Sequence, residues 1–451
     1  MPDRVPQLYL RMGSHAEKQY LLKTVKLFDG ALVGANLLES TPGATVSLAM
    51  KILGGFKKAF AIDPMTYTFG MALEYIQSET IDRTARKPGA RKIGLKRSFV
   101  RLLEEYGDPL ESTILNKKRP ITPDDFTSSH IQSLSRRLFA YQTERMKSEW
   151  ESDPQLKELA TEMPLPTFVF APYFYIPYDG RTNRWRRWHE LNISLAISFA
   201  SIESAIPKHS VLCVNRELLS SATDARQVCE AYIQSGCTAC WLWISVLLEP
   251  DITDNELKLL VDLCKMFETQ GVDLYNLHGG YLSALLSKHG MTGFSHGIGY
   301  GEAKDVVPVI GVTVPTVNYH LPPLHIRVPV LELERALPKL GIKDATRFHS
   351  EICDCTVCKG VLSGDLRNLH EFGDMVVKFG NIRESQTPDS AKKCRFHFLL
   401  ARKKEIDGIA SVSLNDAKQK LADSYNKISG LPSYLGLKDR SVHLPTWINN
   451  T

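Results

Sequence analysis

Three cysteines within six positions form a concentrated set of metal-ligating side chains. Cys353, Cys355 and Cys358 make up the motif C-x-C-x-x-C in "HSEICDCTVCKG". Thiolates at this spacing can converge on one ion through a tight turn, and Zn²⁺ prefers four nitrogen or sulfur ligands in a tetrahedron. The flanking residues are charged, which favours an exposed turn over reduced cysteines in a core. The motif therefore predicts a zinc site.

The fourth zinc ligand must come from outside the motif, and His370, Cys394 and His397 are the candidates. His397 lies in "KKCRFHFLLARKKE", whose pattern is typical of a helix start that brings His397 back to the cysteines, so we favour it. Four protein ligands close the coordination sphere, and we expect one structural zinc ion per chain. The pair Cys237 and Cys240 in "CTAC" precedes an apolar run and has no second pair at finger spacing, so we expect it to be structural.

Eight short apolar, β-branched or aromatic runs predict the strands that must position such side chains. Most are separated by about the length of a helix, which predicts an α/β fold, a (β/α)₈ TIM barrel. One intervening segment, 253–271, has the apolar spacing and terminal Gly of an amphipathic connecting helix. The predicted strands are 31–38, 58–63, 167–176, 210–218, 240–249, 272–278, 291–301 and 319–330.

A long polar segment, 78–166, interrupts this spacing after the second predicted strand. Between residues 81 and 120 there are eleven Lys and Arg against five Asp and Glu. After about residue 335 the strand pattern gives way to the cysteine motif and the helical pattern of 411–428. We expect a barrel domain over 1–345, with 78–166 as a basic helical insertion, and a zinc-binding, helical subdomain over 346–451.

The composition excludes several protein classes. The chain has 451 residues, of which 43% are hydrophobic and 23% charged, as in ordinary globular proteins. No apolar run approaches the roughly 18 residues of a membrane span, and the N-terminal residues lack a signal core. Nine dispersed cysteines do not describe a disulfide framework. We therefore expect a cytoplasmic protein with reduced cysteines and no membrane partner.

Basic and aromatic residues alternate in "DGRTNRWRRWHE" (179–190), after the third predicted strand. Arginines neutralise phosphates, and rings stack on or wedge between bases. The basic insertion follows the second predicted strand, so both segments should lie on the active-site face. The formal net charge of +5 is weak evidence by itself, but this distribution predicts a nucleic-acid surface. Its candidate residues are Arg91, Lys92, Arg181, Arg184, Trp185, Arg186, Arg187 and Trp188.

Asp63 directly follows the apolar run "KAFAI", at the barrel end where active sites are built. It can act in catalysis or cap a turn before Pro64, and we expect catalysis. His278 and His296 also lie at strand ends and can shuttle protons or serve as structural histidines. Tyr173 and Tyr175 offer aromatic faces for a flat ligand.

The C-x-C-x-x-C motif, the distant His and the preceding barrel resemble the tRNA-guanine transglycosylase superfamily. The segments "DPMTYTF", "SHGIGYGE" and "LPPLHIR" most resemble its DpdA branch, the DNA 7-deazaguanine transglycosylases. The resemblance implies a glycosyltransferase (pentosyltransferase) that exchanges guanine in DNA for 7-cyano-7-deazaguanine (preQ0). The implied partners are double-stranded DNA and the free base. The need for accessory DNA-opening proteins and the oligomeric state stay open.

The resemblance also assigns roles to single positions. Asp63 matches the base-pocket aspartate of the family, and Tyr67 or Phe69 matches the aromatic residue that stacks on the base. Asn215 matches the pocket Gln, and 245–249 matches the segment that lines the base. With the strand-end histidine included, the base-binding candidates are Tyr67, Phe69, Asn215, Ser245, Val246 and His278.

The family's nucleophilic aspartate falls on Ser295, which carries no carboxylate. Breaking an N-glycosidic bond passes through a transition state with oxocarbenium character, which a carboxylate beside C1′ stabilises or traps. The catalytic candidates are therefore Asp63, Glu249, Ser295 and Glu302, with Asp251 as a further carboxylate. A tRNA-guanine transglycosylase and a catalytically inactive, zinc-stabilised nucleic-acid-binding barrel are the alternatives.

Overall fold

The computed structural model describes residues 5–81, 91–299, 301–307, 316–378 and 383–451. Within these residues the strands fall into one large sheet and three two-stranded antiparallel hairpins. In chain order they are β1 (Gln7–Met12), β2 (Gly30–Gly34), β3 (Ala59–Asp63), β4 (Gln77–Ile81), β5 (Arg91–Leu95), β6 (Val169–Phe170), β7 (Lys208–Asn215), β8 (Ala239–Ser245), β9 (Asp273–Asn276), β10 (Met291–Gly297), β11 (Tyr319–Leu321), β12 (Ile326–Val328), β13 (Met375–Lys378) and β14 (Arg383–Gln386).

The large sheet is an eight-stranded, parallel, nearly closed barrel, as the sequence predicts. Its strand order is β3-β2-β1-β10-β9-β8-β7-β6. The two outermost strands meet where the Thr167 N–H donates to the Phe60 carbonyl at 3.0 Å and the Phe60 N–H donates to the Thr167 hydroxyl at 3.1 Å. Because all eight strands run the same way, their carboxyl ends gather at one end of the barrel, where barrel enzymes build their active sites.

Helices flank the barrel and fill the C-terminal region. The predicted connecting helix is α9, which begins after a capping box made by Thr253 and Glu256. The α-helices of the described residues are α1 (Lys18–Lys23), α2 (Ala35–Ser40), α3 (Pro42–Ala49), α4 (Arg97–Tyr106), α5 (Ser128–Ser152), α6 (Pro154–Leu159), α7 (Arg184–Ala200), α8 (Ala222–Ile233), α9 (Asp254–Thr269), α10 (Tyr281–Leu285), α11 (Val330–Ala336), α12 (Ala345–Glu351), α13 (Thr356–Leu362), α14 (Pro388–Ala410), α15 (Leu414–Ser429) and α16 (His443–Asn450).

Two of the predicted strand positions need correction. The first barrel strand is β1, which the sequence analysis did not predict, and the last predicted strand, 319–330, lies outside the barrel. That segment folds into the hairpin β11–β12 because Pro322 and Pro323 interrupt the run and cannot donate to a sheet. The insertion therefore follows the third barrel strand, β3. It contains the hairpin β4–β5 and the helices α4, α5 and α6.

Large aromatic side chains fill the barrel interior. Trp241 and Tyr275 stack with ring centroids 4.4 Å apart, and Tyr9 meets both rings edge-on. Phe168 stacks on His209 at 4.1 Å. The lower part of the barrel is thus a packed core and not a pore, so a ligand can enter only from the carboxyl end.

A second, larger apolar core lies outside the barrel and runs without a break into the C-terminal region. It includes strand residues such as Ile62, helix residues such as Leu263 and the three motif cysteines. Trp447 of α16 is fully buried, and its indole N–H donates to the Glu249 carbonyl at 3.3 Å. Among the described helices, none has both the length and the apolar character needed to cross a membrane.

Candidate functional site

Asp63 is the last residue of β3 and is only 2% exposed. The Arg11 guanidinium and the Tyr173 hydroxyl each donate to its carboxylate at 2.8 Å, one to each oxygen. The backbone N–H of Met65 donates at 3.0 Å to the same carboxylate oxygen as Tyr173. Donors from three separate segments therefore fix both carboxylate oxygens at the carboxyl end of the barrel.

Aromatic rings stand beside this carboxylate. Tyr67 and Tyr173 stack with centroids 5.6 Å apart, and Trp243 meets Tyr67 edge-on at 4.8 Å. Phe69, the sequence alternative to Tyr67, instead packs edge-on against Phe99 and Tyr106 in the outer core. Of the two candidate stacking residues, only Tyr67 belongs to the barrel interior.

Lys304 completes the group, although the sequence analysis did not single it out. Its ammonium nitrogen lies 3.3 Å from the Tyr67 hydroxyl and 5.2 Å from the Trp243 ring centroid. The His278 ring lies 4.9 Å from the Trp243 ring. We call this set of side chains the barrel mouth: Arg11, Asp63, Tyr67, Tyr173, Trp243, His278 and Lys304.

Three buried polar atoms at strand ends have no hydrogen-bond partner among the described residues. They are Arg11 Nη1, Asn215 Oδ1 and His278 Nε2. The Asn215 amide nitrogen donates to the Tyr178 carbonyl, which leaves its oxygen as the free acceptor. A buried polar atom without a partner costs free energy, so these atoms can gain a hydrogen bond from a polar ligand.

Burial and neighbouring charges set the protonation states in the barrel mouth. Burial and the Arg11 charge lower the pKa of Lys304 to about 8, against the opposing effect of Asp63. Burial, with Arg11 and Lys304 nearby, holds the pKa of His278 well below its usual value, so that imidazole stays neutral. Burial also raises the pKa values of Tyr67 and Tyr173, which keeps both phenols protonated.

The other catalytic candidates are engaged elsewhere. Glu249 accepts from the backbone N–H groups of Gly280, Leu282 and Ser283 and from the Ser283 hydroxyl, at 2.6–3.0 Å. It therefore caps the start of α10, and burial raises its pKa. Ser295 is buried, and its hydroxyl donates to the Leu277 carbonyl at 2.5 Å.

Glu302 pairs with two arginines of the C-terminal region, Arg402 and Arg327. Although the Glu302 carboxyl is desolvated, these two charges lower its pKa. His296 is likewise buried, with its pKa lowered to about 3 by burial and by Arg402. In the described part of the chain, none of the hydrogen bonds and ion pairs of Glu249, Ser295, His296 and Glu302 involves Asp63, and Asp251 is exposed.

Ser245 is the last residue of β8, and Val246 directly follows that strand. The Ser245 hydroxyl donates to Asp305 at 3.0 Å and accepts from the Val306 N–H at 2.9 Å. Val246 is 57% exposed and has a φ of 64°, which is rare for a β-branched residue. Both residues therefore shape the rim next to the barrel mouth.

The predicted nucleic-acid segment divides into exposed arginines and inward-facing tryptophans. Trp185 is 4% exposed and packs on Tyr178, and Trp188 packs on Phe174. Trp185 is buried and Trp188 is partly buried, so stacking of these rings on bases stays a prediction. The exposed residues of the segment are Arg181, Arg184, Arg186 and Arg187, of which Arg187 pairs with Asp124. Arg91 and Lys92 begin β5, but their side chains lie outside the described part of the chain.

The cysteine motif and His397 form one cluster, as predicted, but the cluster is buried and does not lie on the expected exposed turn. The His397 Nδ1 atom lies 3.8, 3.4 and 3.3 Å from the sulfurs of Cys353, Cys355 and Cys358, respectively. The ligand atoms all lie within 4.8 Å of one another, which is compact enough to hold a metal ion. The two rival ligands point elsewhere: Cys394 donates to the Phe372 carbonyl, and exposed His370 interacts with the Arg367 carbonyl.

The surroundings of the cluster orient His397. Its Nε2–H donates to the His320 carbonyl at 2.6 Å, which leaves Nδ1 as the lone-pair nitrogen facing the sulfurs. Tyr319 stacks on the imidazole at 4.1 Å, and its hydroxyl lies 3.3 Å from the Cys358 sulfur. Cys237 and Cys240 are also buried, but within the described residues they belong to no such group of metal-ligating side chains.

Sequence reasoning missed three members of the barrel mouth. Arg11 lies on the strand that was not predicted, and Trp243 is hidden inside an apolar run that any buried strand would show. Lys304 follows a glycine-rich turn and carries no motif. The apolar residues Leu8, Tyr9, Leu10 and Met12 of "QLYLRM", interrupted only by Arg11, are a signal that could have revealed β1 and, with it, Arg11.

Comparison with known proteins adds no assignment, since the sequence matches no protein-family model and no curated protein.

Proposed function

We propose that this protein is a DNA glycosyltransferase that exchanges guanine for 7-cyano-7-deazaguanine at an N-glycosidic bond. The observation that carries the proposal is the Asp63 carboxylate, held by Arg11 and Tyr173 beside aromatic rings at the open end of a barrel. A carboxylate beside C1′ is the group that an oxocarbenium-like transition state requires. The resemblance of the C-x-C-x-x-C motif to transglycosylases supports the same reaction class.

The barrel mouth suits a purine that has been taken out of the helix. Enzymes that act on an extruded base bind it by stacking and by hydrogen bonds to its edge. Tyr67 and Trp243 offer rings, while Arg11 Nη1 is a buried donor and Asn215 Oδ1 a buried acceptor without partners. Guanine and 7-deazaguanines carry both donors and acceptors on their edges, so either base could bond to both of these atoms.

Asp63 is the preferred residue for the step at C1′. Its oxygens already accept three hydrogen bonds, which fix their direction in advance of the reaction. Glu249 caps a helix and Glu302 is paired with two arginines, so moving either toward C1′ would break interactions that the fold uses.

The surface near the barrel mouth supports a polyanionic partner. Exposed arginines at 181, 184, 186 and 187 follow β6, at the same barrel end as Asp63. Such residues bind phosphates without reading sequence. We propose double-stranded DNA as this partner, with base extrusion assisted by accessory proteins where the duplex must be opened.

We also propose that the cluster of Cys353, Cys355, Cys358 and His397 holds one Zn²⁺ ion in a structural role. With Zn–S near 2.3 Å and Zn–N near 2.0 Å, a tetrahedron places nitrogen and sulfur ligands about 3.5 Å apart. The observed separations of 3.3–3.8 Å bracket this value. Four protein ligands leave no position for a substrate, so the ion would hold the fold together and take no part in base exchange.

Base exchange can be tested with labelled 7-cyano-7-deazaguanine and either plasmid DNA or tRNA. We expect label in DNA with the wild type, and a loss of at least 100-fold with Asp63→Asn, which keeps the side-chain size but removes the charge. Asp251→Asn, at an exposed carboxylate of a neighbouring barrel loop, is the matched control and should stay near wild type. Label in tRNA would favour the tRNA enzyme, and label in neither would favour the inactive barrel. Wild-type turnover in Asp63→Asn would remove Asp63 from the reaction.

A further inference from the structure

We infer that Lys304 is the residue that transfers the proton to the departing purine and takes it back from the incoming base. This inference rests on the proposed base exchange and assigns to it a catalytic residue outside the sequence-derived set. Three lines of observation support it: the backbone that carries Lys304, the contacts of its ammonium group and the charges that surround it.

The backbone around Lys304 is attached to the end of β8 at three points. The Trp243 indole N–H donates to the Lys304 carbonyl at 3.0 Å. Ser245 donates to the Asp305 carboxylate at 3.0 Å and accepts from the Val306 N–H at 2.9 Å. A loop held by side chains of a barrel strand can keep a lysine in one place, which proton transfer requires.

The ammonium group of Lys304 points into the aromatic wall of the barrel mouth. It donates to the Tyr67 hydroxyl at 3.3 Å and lies over the rings of Trp243 and Tyr67, 5.2 and 5.9 Å from their centroids. In the described part of the chain its recorded partner is thus a phenol and not a carboxylate. A carboxylate partner would hold the proton on the amine, whereas a phenol and two rings leave it available for transfer.

The charges nearby act on Lys304 in opposite directions. Burial and the Arg11 guanidinium lower its pKa to about 8, while Asp63 limits the fall. Both the ammonium and the amine are therefore accessible near neutral pH, as a group that gives and takes a proton needs. Neutral His278 and the protonated phenol of Tyr67 do not meet this condition, because burial moves their pKa values far from neutrality.

The exchange then balances in two steps. In the first step, the C1′–N9 bond of the guanine nucleotide in DNA breaks, and its electron pair stays on the purine. The Lys304 ammonium donates a proton to that purine, and an Asp63 oxygen bonds to C1′. In the second, the neutral Lys304 amine takes the N9 proton of the incoming 7-deazaguanine. The N9 electron pair then forms the new bond to C1′, the bond from C1′ to Asp63 breaks, and Lys304 is again an ammonium.

The test compares two variants with different proton chemistry. Lys304→Met keeps the length of the side chain without a proton, and Lys304→Arg keeps the charge but does not release a proton near neutral pH. We expect both to lower kcat for base exchange by at least 100-fold, in the range typical of general acid–base catalysis. DNA binding should change less than threefold in Lys304→Arg. Lys265→Met, at an exposed position on α9, is the matched control.

The pH dependence gives a readout that a structural role would not change. For the wild type, kcat/KM should fall tenfold per pH unit above about 8, where free Lys304 loses its proton. This limb should be absent in Lys304→Arg. A retained limb, or kcat within threefold of wild type in either folded variant, would refute the role of Lys304.

A second measurement does not depend on activity. Reductive methylation with ¹³C-formaldehyde labels lysines of the full-length protein, and the Lys304 resonance, assigned by its absence in Lys304→Arg, should titrate near pH 8. A resonance titrating above pH 10 would overturn the inference. If the wild type exchanges no base in DNA, the proposed function fails, whereas wild-type exchange with active Lys304 variants rejects only the role of Lys304.

Discussion

Single residues in the barrel mouth depend on partners that are distant in the chain. Arg11 and Tyr173, which donate to Asp63, are 52 and 110 positions away from it. Each reaches the carboxylate because parallel barrel strands bring their carboxyl ends together. The sequence shows that Asp63 follows a buried strand, but it carries no sign of which donors will meet it.

His209 shows how burial at one residue links stability to pH. The Trp241 indole N–H donates to its Nδ1 at 3.0 Å, and Phe168 stacks on its ring, so the imidazole must stay neutral. Burial lowers its pKa from 6.5 to about 3. In the unfolded chain the imidazole takes up a proton below pH 6.5, whereas in the folded protein it does not. Stability is therefore retained above pH 6.5 and lost as the pH falls toward 3.

The contribution of His209 can be measured by urea denaturation at pH 7 and pH 5. We expect this histidine to account for a loss of about 2 kcal/mol in the free energy of unfolding between the two pH values. His209→Asn, which keeps an acceptor for Trp241, should be less stable at pH 7 but should lose about 2 kcal/mol less on acidification. His370→Asn, at an exposed position, should not reduce the loss. An unchanged loss in His209→Asn would contradict the assignment.

At the scale of elements, the sequence predicts most of the barrel strands. It misses the first strand, β1, and adds a run, 319–330, that lies outside the barrel. Seven of the eight predicted runs are barrel strands, because buried parallel strands are short and almost wholly apolar. Strand β1 escaped notice because it begins with polar Gln7 and because Arg11 interrupts its apolar residues. Only the structure shows why an arginine stands there, since Arg11 donates to the Asp63 carboxylate. Segment 319–330 has the composition of a strand, but tertiary packing places it against the cysteine cluster and not in the barrel.

The four residues of the cysteine cluster were predictable, although their burial was not, because ligand chemistry restricts the cluster more tightly than packing restricts a strand. The motif supplies three sulfurs in one turn, in which Cys355 caps α13 and accepts from the Cys358 N–H at 3.4 Å. His397 comes from α14, and Tyr319 of β11 covers the ring. The ion we propose would thus join the cysteine motif to α14, at a site on which Tyr319 of β11 also packs.

Removal of one ligand should release the ion and loosen these three elements. We expect purified wild type to contain about one zinc per chain, and Cys355→Ser to lose the metal and unfold at a lower temperature, because binding of a structural metal contributes directly to folding. Cys394→Ser is the matched control, since buried Cys394 lies three positions before His397 but bonds to the Phe372 carbonyl. Elemental analysis and thermal unfolding measure both effects. Full zinc content in Cys355→Ser would exclude this ligand set.

At the scale of the whole molecule, a buried charge network joins the barrel to the C-terminal region. Arg402 of α14 is fully buried and pairs with Glu302, which follows β10, and with Glu405 at 2.8 Å. Glu405 also contacts His320 at 2.8 Å and His325 at 2.7 Å, both from the hairpin region. Although burial opposes it, the Arg402 charge together with the two histidines holds the pKa of Glu405 well below its usual value. Glu302, in the loop that carries Lys304, is therefore anchored to the C-terminal region.

Breaking this network at its centre should destabilise the molecule as a whole. Arg402→Met keeps the apolar part of the side chain but leaves Glu302 and Glu405 without their shared cation, and loss of one partner from a buried pair costs about 3–5 kcal/mol. Lys403→Met removes the neighbouring charge, which pairs with Asp407 at a more exposed position, and should cost less than about 1 kcal/mol. Urea denaturation gives both values, and equal stability of the two variants would contradict the prediction. Because Glu302 lies two residues before Lys304, Arg402→Met should also lower the rate of base exchange. Normal exchange in a destabilised Arg402→Met variant would show that the network stabilises the fold without positioning Lys304.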